Sequence, residues 1–293
     1  MKTVFCDWGT SNLRAYLLDN GELINEYSSS KGLMAAREVG FKKVLGEVLE
    51  FFQVSDATTI RLSGMIGSKH GWQEAPYAHA PVSVDDLQES VVVLKEYPDA
   101  KILGGVYYEM PNGKRDVMRG EEVQVFGVLE KYPDAKKICL PGTHSKWVDV
   151  EESKLNAFST WMTGDLFRSL SEHTIFKEQY SSTDFNEAAF LKGVHSAREA
   201  GPLMNSLFHL RTDYLFQNVD ATEFHSYLSG FLIGSEIKEA ANRCSEVYLC
   251  GSGTMNEYYE TALKSFGVMT MTITSDEATI LGIQAVSKEK IYG

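Results

Sequence analysis

The sequence has no long apolar run. No stretch approaches the roughly 18 uninterrupted apolar residues that cross a bilayer. Asp7 interrupts the first apolar run, where a signal peptide would need its hydrophobic core. No membrane association is expected, and the expected compartment is the cytoplasm. Cysteine is scarce: Cys6, Cys139, Cys244 and Cys250, with no C-x-x-C pair. Three of them sit in apolar, strand-like runs, so they read as reduced core residues and argue against a zinc site. Positive charge is in deficit, with 28 Lys and Arg against 40 Asp and Glu and a formal net charge of -12. That argues against a general binder of nucleic acid or anionic membrane, although a few local cations suffice for a small anionic substrate. No G-x-G-x-x-G follows the first strand, which disfavours a dinucleotide-dependent redox enzyme. No linker or low-complexity stretch is visible, so any domain boundary falls inside ordered structure.

What is present is enough chain, 293 residues at 43% apolar, for two domains or one large one. The stretch that organises it is Thr3-Val4-Phe5-Cys6-Asp7-Trp8-Gly9-Thr10-Ser11-Asn12-Leu13-Arg14-Ala15-Tyr16-Leu17-Leu18-Asp19. Two apolar runs flank a polar loop and read as a strand hairpin. Asn20-Gly21 supplies a second turn, and residues 23–27 a third strand. Gly9 lets a ligand approach the backbone. Thr10, Ser11 and Asn12 offer hydroxyl, amide and N–H donors suited to phosphate oxygens. Asp7, at the strand end, has the chemistry to hold Mg²⁺. An ordinary polar hairpin has the same composition, so the loop alone decides nothing.

Further along, the spacing predicts a helix over 32–52, a strand over 58–63 and a helix over 85–97. Residues 101–108 read as one strand. Between them, Gly64-Met65-Ile66-Gly67-Ser68-Lys69-His70-Gly71-Trp72 crowds glycines, a cation, a His and a Trp into a candidate substrate loop. A helix opens at Gly120-Glu121-Glu122, with acids in its first turn as the dipole favours. A second strand–loop–strand–turn–strand meander covers 137–160, its loop being Pro141-Gly142-Thr143-His144-Ser145. Helices are expected from Thr163-Gly164-Asp165 to 170, over 184–200 and over 222–244. A strand at 246–250 runs into Gly251-Ser252-Gly253, then a helix to 266, a strand at 268–274 and a closing helix over 276–287. Strand, glycine-rich turn, helix and strand make a parallel crossover. The echo of the first meander suggests two domains, placed at 1–118 and 119–293, with the closing helix packing back on the first.

Three loops thus occur in a fixed order: Asp7-Trp8-Gly9-Thr10-Ser11, Gly142-Thr143-His144-Ser145 and Gly251-Ser252-Gly253. In that order they resemble the two phosphate motifs and the adenosine motif of the actin/hexokinase/Hsp70 ATPase superfamily. More closely, the first run resembles the start of 2-dehydro-3-deoxygalactonokinases. So do Gly64-Met65-Ile66-Gly67-Ser68 with Gly71-Trp72 and Glu74-Ala75-Pro76-Tyr77, Asp116-Val117-Met118-Arg119-Gly120-Glu121-Glu122, Leu140-Pro141-Gly142-Thr143-His144-Ser145-Lys146-Trp147 and Met162-Thr163-Gly164-Asp165-Leu166-Phe167. The resemblance implies two ribonuclease H-like α/β domains, each a mixed sheet flanked by helices, with a cleft between them. It implies ATP-dependent phosphorylation of 2-dehydro-3-deoxy-D-galactonate at its terminal hydroxyl. On that reading Asp7 holds Mg²⁺, Gly9, Thr10, Ser11 and Asn12 cradle phosphates with Gly142 and Thr143, and Arg14 stabilises transferring charge. Gly251, Ser252 and Gly253 approach adenosine. Glu121 is the general base, with Asp165 its rival. Glu121 stands where the wider superfamily often has Asp. Ser68, Lys69, Trp72 and Arg119 are the candidates for the sugar acid and its carboxylate. Partners are then ATP and a sugar acid, with self-association left open. Rival readings are a kinase for another sugar acid or polyol, and a nucleotide-binding sugar sensor.

Overall fold

The computed structural model describes residues 2–54 and 58–287. β1 (Lys2–Trp8) is apolar at most positions and buried along most of its length, as a central strand must be. It turns through residues 9–12 into β2 (Leu13–Asp19), and Asn20-Gly21 turns β2 into β3 (Glu22–Ser29). The predicted helix over 32–52 is two helices, α1 (Leu33–Val39) and α2 (Phe41–Phe52). Gly40 between them takes φ 102, outside any helix. α2 buries Val44, Leu45, Val48 and Phe52 on one face.

β4 (Thr59–Gly64) pairs parallel with β1 and runs into a 3-10 turn at Met65–Gly67. After β5 (Tyr77–His79), the helix predicted over 85–97 shrinks to α3 (Val84–Glu89). Ser83 and Asp86 form a capping box that starts it, but the β-branched run Val91-Val92-Val93 leaves it for β6 (Val91–Leu94). β6 pairs antiparallel with β7 (Tyr97–Leu103). The strand predicted over 101–108 is likewise interrupted. At Gly104 a Cβ would come within 2.6 Å of the Pro76 carbonyl, and the chain moves to a second sheet as β8 (Gly105–Glu109), followed by β9 (Arg115–Met118). The large sheet has the order β3-β2-β1-β4-β7-β6 and the small one β5-β8-β9. α4 (Glu121–Lys131) follows.

The second meander forms β10 (Lys137–Leu140), β11 (Ser145–Glu151) and β12 (Lys154–Trp161). Five helices follow among the described residues: α5 (Thr163–His173), α6 (Glu187–Glu199), α7 (Leu203–Leu215), α8 (Phe224–Ala240) and, after β13 (Glu246–Gly251), α9 (Gly253–Ser265). β14 (Met269–Thr274) completes the order β12-β11-β10-β13-β14, with β13 parallel to both β10 and β14. The same neighbour pattern, hairpin partners on one side and crossover strands on the other, holds for β3-β2-β1-β4-β7. α8 is buried on nearly every side. The last helix is α10 (Ser275–Ser287).

Two compact units result. Unit 1 takes the chain up to Asp134, Asp149–Phe158 and the residues from Ser275 onward; unit 2 takes Ala135–Val148 and Ser159–Thr274. The division expected at 118 therefore moves to 134, and α4 belongs with unit 1. The packing of α4 against α10 explains this. A Cβ on Gly127 would run into the Ala278 carbonyl, and one on Gly282 into the Val123 carbonyl. The two helices touch backbone to backbone, which only glycine permits at those points.

Candidate active site

In unit 1 the strand register sets the geometry. Asp7 on β1 stands opposite Arg14 on β2 and beside Ser63 on β4. The loop between β1 and β2 is closed by the Gly9 N–H donating to the Asn12 carbonyl at 2.9 Å. The start of α1 then ties it down, with the Leu33 N–H on the Gly9 carbonyl at 2.9 Å and the Met34 N–H on the Thr10 carbonyl at 3.2 Å. Asp7, Gly9, Thr10, Ser11, Asn12 and Arg14 line one cavity of about 340 Å³. The Arg14 guanidinium is paired with Asp276 at the head of α10. Both side chains are largely exposed, so this pair orients the guanidinium and adds little to stability.

Asp7 also lines a second cavity, of about 150 Å³, with Ser63, Arg119, Gly120 and Glu121. Two glycines in left-handed conformations bring its walls together. Gly64 has φ 89 and Gly120 φ 106, and a Cβ on Gly120 would lie 3.3 Å from the Gly64 Cα. α4 therefore starts directly against the end of β4, which delivers Glu121 to the Asp7 cavity. The Glu121 carboxylate accepts the Arg119 backbone N–H at 2.9 Å. The Arg119 side chain donates to the Ala75 carbonyl at 2.9 Å and lies 4.2 Å over the Tyr77 ring. Its Nη1 is buried without a hydrogen-bond partner among the described residues.

Burial here disfavours the charged form of two carboxyl groups. Burial pushes the Asp7 carboxyl up to about 6, with Arg14 opposing and Glu121 adding to the shift. The neighbouring Glu122 is buried, and both its oxygens accept the Gly120 N–H, at 2.8 and 2.7 Å. Burial, then the Glu121 charge, pushes it up to about 8. The sequence showed two acids at a helix start; only the fold separates the one in the cavity from the one folded under it.

The remaining loop candidates of unit 1 do not join this cavity. Lys69 is exposed. Trp72 stacks on Phe41, ring centroids 5.8 Å apart, and packs against the apolar core. One face of the half-buried Trp72 ring is thus held by packing. The Ser68 hydroxyl is buried without a partner among the described residues.

In unit 2, Gly142 and Thr143 follow β10 and Asp165 lies in the first turn of α5. The Asp165 N–H donates to the Thr143 carbonyl at 3.0 Å. Its carboxylate is engaged by Arg168 at 3.2 Å and His144 at 3.7 Å. Gly142, Thr143 and Gly164 form one side of a cavity of about 320 Å³, and Phe185, His225, Met255 and Tyr258 form its apolar side. Phe185 and Tyr258 stack at 4.4 Å. Gly251 ends β13, Ser252 caps α9 by accepting the Met255 N–H at 3.4 Å, and Gly253 opens the helix that carries Met255 and Tyr258. Beneath this cavity Glu236 accepts hydrogen bonds from Trp147 Nε1 at 2.7 Å, from Tyr259 at 2.9 Å and from Thr163.

The family model of 2-keto-3-deoxy-galactonokinase matches residues 7–286. The chain belongs to that family. It is similar to the probable 2-dehydro-3-deoxygalactonokinase DgoK1 of Rhizobium meliloti, at 33% identity over 96% of this chain and 95% of the other. A crystal structure of a 2-dehydro-3-deoxygalactonokinase-like protein from Sinorhizobium meliloti superposes with a TM-score of 0.91 at 33% identity, covering 97% of this chain and 98% of that one. In fold alone it also resembles the activator of 2-hydroxyisocaproyl-CoA dehydratase from Clostridium difficile, solved with bound ADPNP, at TM-score 0.50 and 12% identity over 98% of this chain and 93% of the other. The galactonokinase-family chain is therefore a sugar-acid kinase, a transferase of carbohydrate metabolism, built on mixed-sheet α/β units. Residues 7–14, 120–122, 142–145 and 251–253 all lie within the matched span. Reading the sequence missed Ser63, Asp276, Glu236 and the aromatic side of the unit 2 cavity. Phe185 is far from any motif, and Tyr258 is an ordinary helix residue until the fold stacks them.

Proposed function

We propose that this kinase transfers the γ-phosphoryl group of ATP to the terminal hydroxyl of 2-dehydro-3-deoxy-D-galactonate, giving the 6-phosphate and ADP, in the cytoplasmic breakdown of galactonate by bacteria. The observation that carries this is the cavity that joins Asp7, Glu121 and Arg119 next to the Gly9–Asn12 loop, in a chain of this family. Phosphoryl transfer asks a protein mainly to position groups and neutralise charge. Backbone and hydroxyl donors of Gly9, Thr10, Ser11 and Asn12 suit phosphate oxygens, as do those of Gly142 and Thr143. The aromatic cavity bounded by Phe185 and Tyr258 suits a purine face, with Gly251, Ser252 and Gly253 at the start of its helix. Arg14, oriented by Asp276, stabilises charge on the transferring group. Glu121 accepts the proton of the attacking hydroxyl. Asp165 is the weaker candidate for that role because Arg168 and His144 already engage its carboxylate. Arg119 presents a guanidinium for the substrate carboxylate.

The donor set fits Mg²⁺. Among the described residues no cluster of three His, Cys, Asp or Glu could cage a metal, and Mg²⁺ typically takes only one or two carboxylates plus water and substrate phosphate. Asp7 would hold it, and a cation there favours the carboxylate that burial disfavours. When bound, Mg²⁺ supplies neutralisation of phosphate charge.

The test is ³¹P NMR of the product formed from ATP and the sugar acid. A phosphomonoester at the terminal carbon, lost with Glu121→Ala, is expected. Phosphate at another position, or none, contradicts the reading.

A further inference from the structure

Ser63 has an unexplained hydroxyl. The residue is 2% exposed, and its Oγ has no hydrogen-bond partner among the described residues. A buried hydroxyl left unpaired is unfavourable and calls for an explanation. It is also placed pointedly. Ser63 is the register partner of Asp7 in the parallel β1–β4 pair, so both side chains leave the same face of the sheet. That face bears the cavity of about 150 Å³ that Ser63 lines with Asp7, Arg119 and Glu121. Arg119, which also lines this cavity, likewise has a buried atom, Nη1, with no hydrogen-bond partner among the described residues.

We propose that the Ser63 hydroxyl is a specificity-determining contact that hydrogen-bonds a secondary hydroxyl of the acceptor sugar acid. This rests on reading the cavity as the acceptor site. The assignment follows from what else is present. The substrate's carboxylate matches the Arg119 guanidinium, and its reacting terminal hydroxyl matches the Glu121 carboxylate. What remains in the middle of a 2-keto-3-deoxy acid chain are neutral secondary hydroxyls. A serine, one donor and two acceptor lone pairs, is their natural partner. Such a contact discriminates between epimers, because inverting one carbinol centre removes the partner and leaves the serine buried and unpaired again.

The experiment compares wild type, Ser63→Ala and the near-isosteric Ser63→Cys. It uses ATP and the two 2-keto-3-deoxy hexonic acids that differ only at carbon 4, with thermal melting in parallel. The expected result is a fall in kcat/KM of about tenfold on the preferred epimer, with the preference between epimers shrinking by a similar factor. The KM for ATP stays unchanged. The melting temperature is equal to or above wild type, because Ser63→Ala removes an unsatisfied buried group. Unchanged kcat/KM and epimer preference in both variants overturn the proposal and leave the kinase reading intact. A lowered melting temperature with equal losses on both epimers makes Ser63 a structural residue, and also overturns it. A wild type that phosphorylates neither acid overturns the acceptor-site reading together with the proposal.

Discussion

Asp7→Asn should kill the enzyme and stabilise the fold. The carboxyl of Asp7 is pushed from 3.8 to about 6, chiefly by burial. An acid whose folded value is raised holds its proton more tightly in the folded state. Its contribution to stability is complete below the unfolded value and is lost as pH climbs through the folded one. A rise of that size corresponds to about 3 kcal/mol once pH is well above the folded value. At pH 5 the carboxyl is mostly protonated in the folded protein, and the penalty is about 1.5 kcal/mol. Asparagine is isosteric and carries no charge, so the variant escapes the penalty at both values. In a chelator and without nucleotide, the melting temperature of Asp7→Asn should exceed that of wild type by roughly 5–10 °C at pH 8, and by about half as much at pH 5. Differential scanning calorimetry across that range reads both numbers. Activity should vanish at every pH, a trade of stability for function. A variant that melts below wild type at pH 8, or whose advantage does not change with pH, would refute the account of Asp7 as a strained, charge-poised group.

Three further outcomes follow from other parts of the structure. Glu122 is pushed up to about 8, so wild-type stability should fall as pH rises from 7 to 9, and Glu122→Gln should flatten that slope in thermal melts. Gly127→Ala places a methyl against the Ala278 carbonyl; overpacking of this kind costs about 1–3 kcal/mol, and a melting temperature lowered by several degrees is expected. Phe185→Ala removes the stacking partner of Tyr258. It should raise the KM for ATP roughly tenfold or more, on the scale of base–aromatic stacking, with the KM for the sugar acid unchanged in steady-state kinetics.

Much of unit 1 was legible because its signals are local. Asp7 to Arg14 reads as a hairpin from turn residues between two apolar runs, and that is the hairpin observed. The crossover of β13, α9 and β14 was readable for the same reason. Signals failed where one residue or a distant contact decides. Gly40 splits a helix whose apolar period runs straight through it. The run Val91-Val92-Val93 becomes a strand because β7 is there to pair with it. The boundary expected at 118 followed sequence order, whereas α4 joins unit 1 through α10, more than a hundred residues later. The site shows the same division. Asp7, Glu121 and the glycine-hydroxyl loop sit in motifs. Ser63, Asp276, Glu236 and Phe185 owe their places to pairing and packing, which leave no local mark. The stacking of Trp72 on Phe41 was likewise unreadable, because an aromatic in a glycine-rich loop gives no sign of its packing partner.

The most direct measurement is ADP release with Mg-ATP over a panel of 2-keto-3-deoxy sugar acids, run beside Asp7→Ala and Glu121→Ala. The account predicts turnover on the galactonate-derived acid that collapses by at least a hundredfold in both variants, in line with the worth of general-base catalysis. Turnover that survives in Glu121→Ala would contradict the role given to that cavity, and silence across the panel with nucleotide still bound would contradict the substrate.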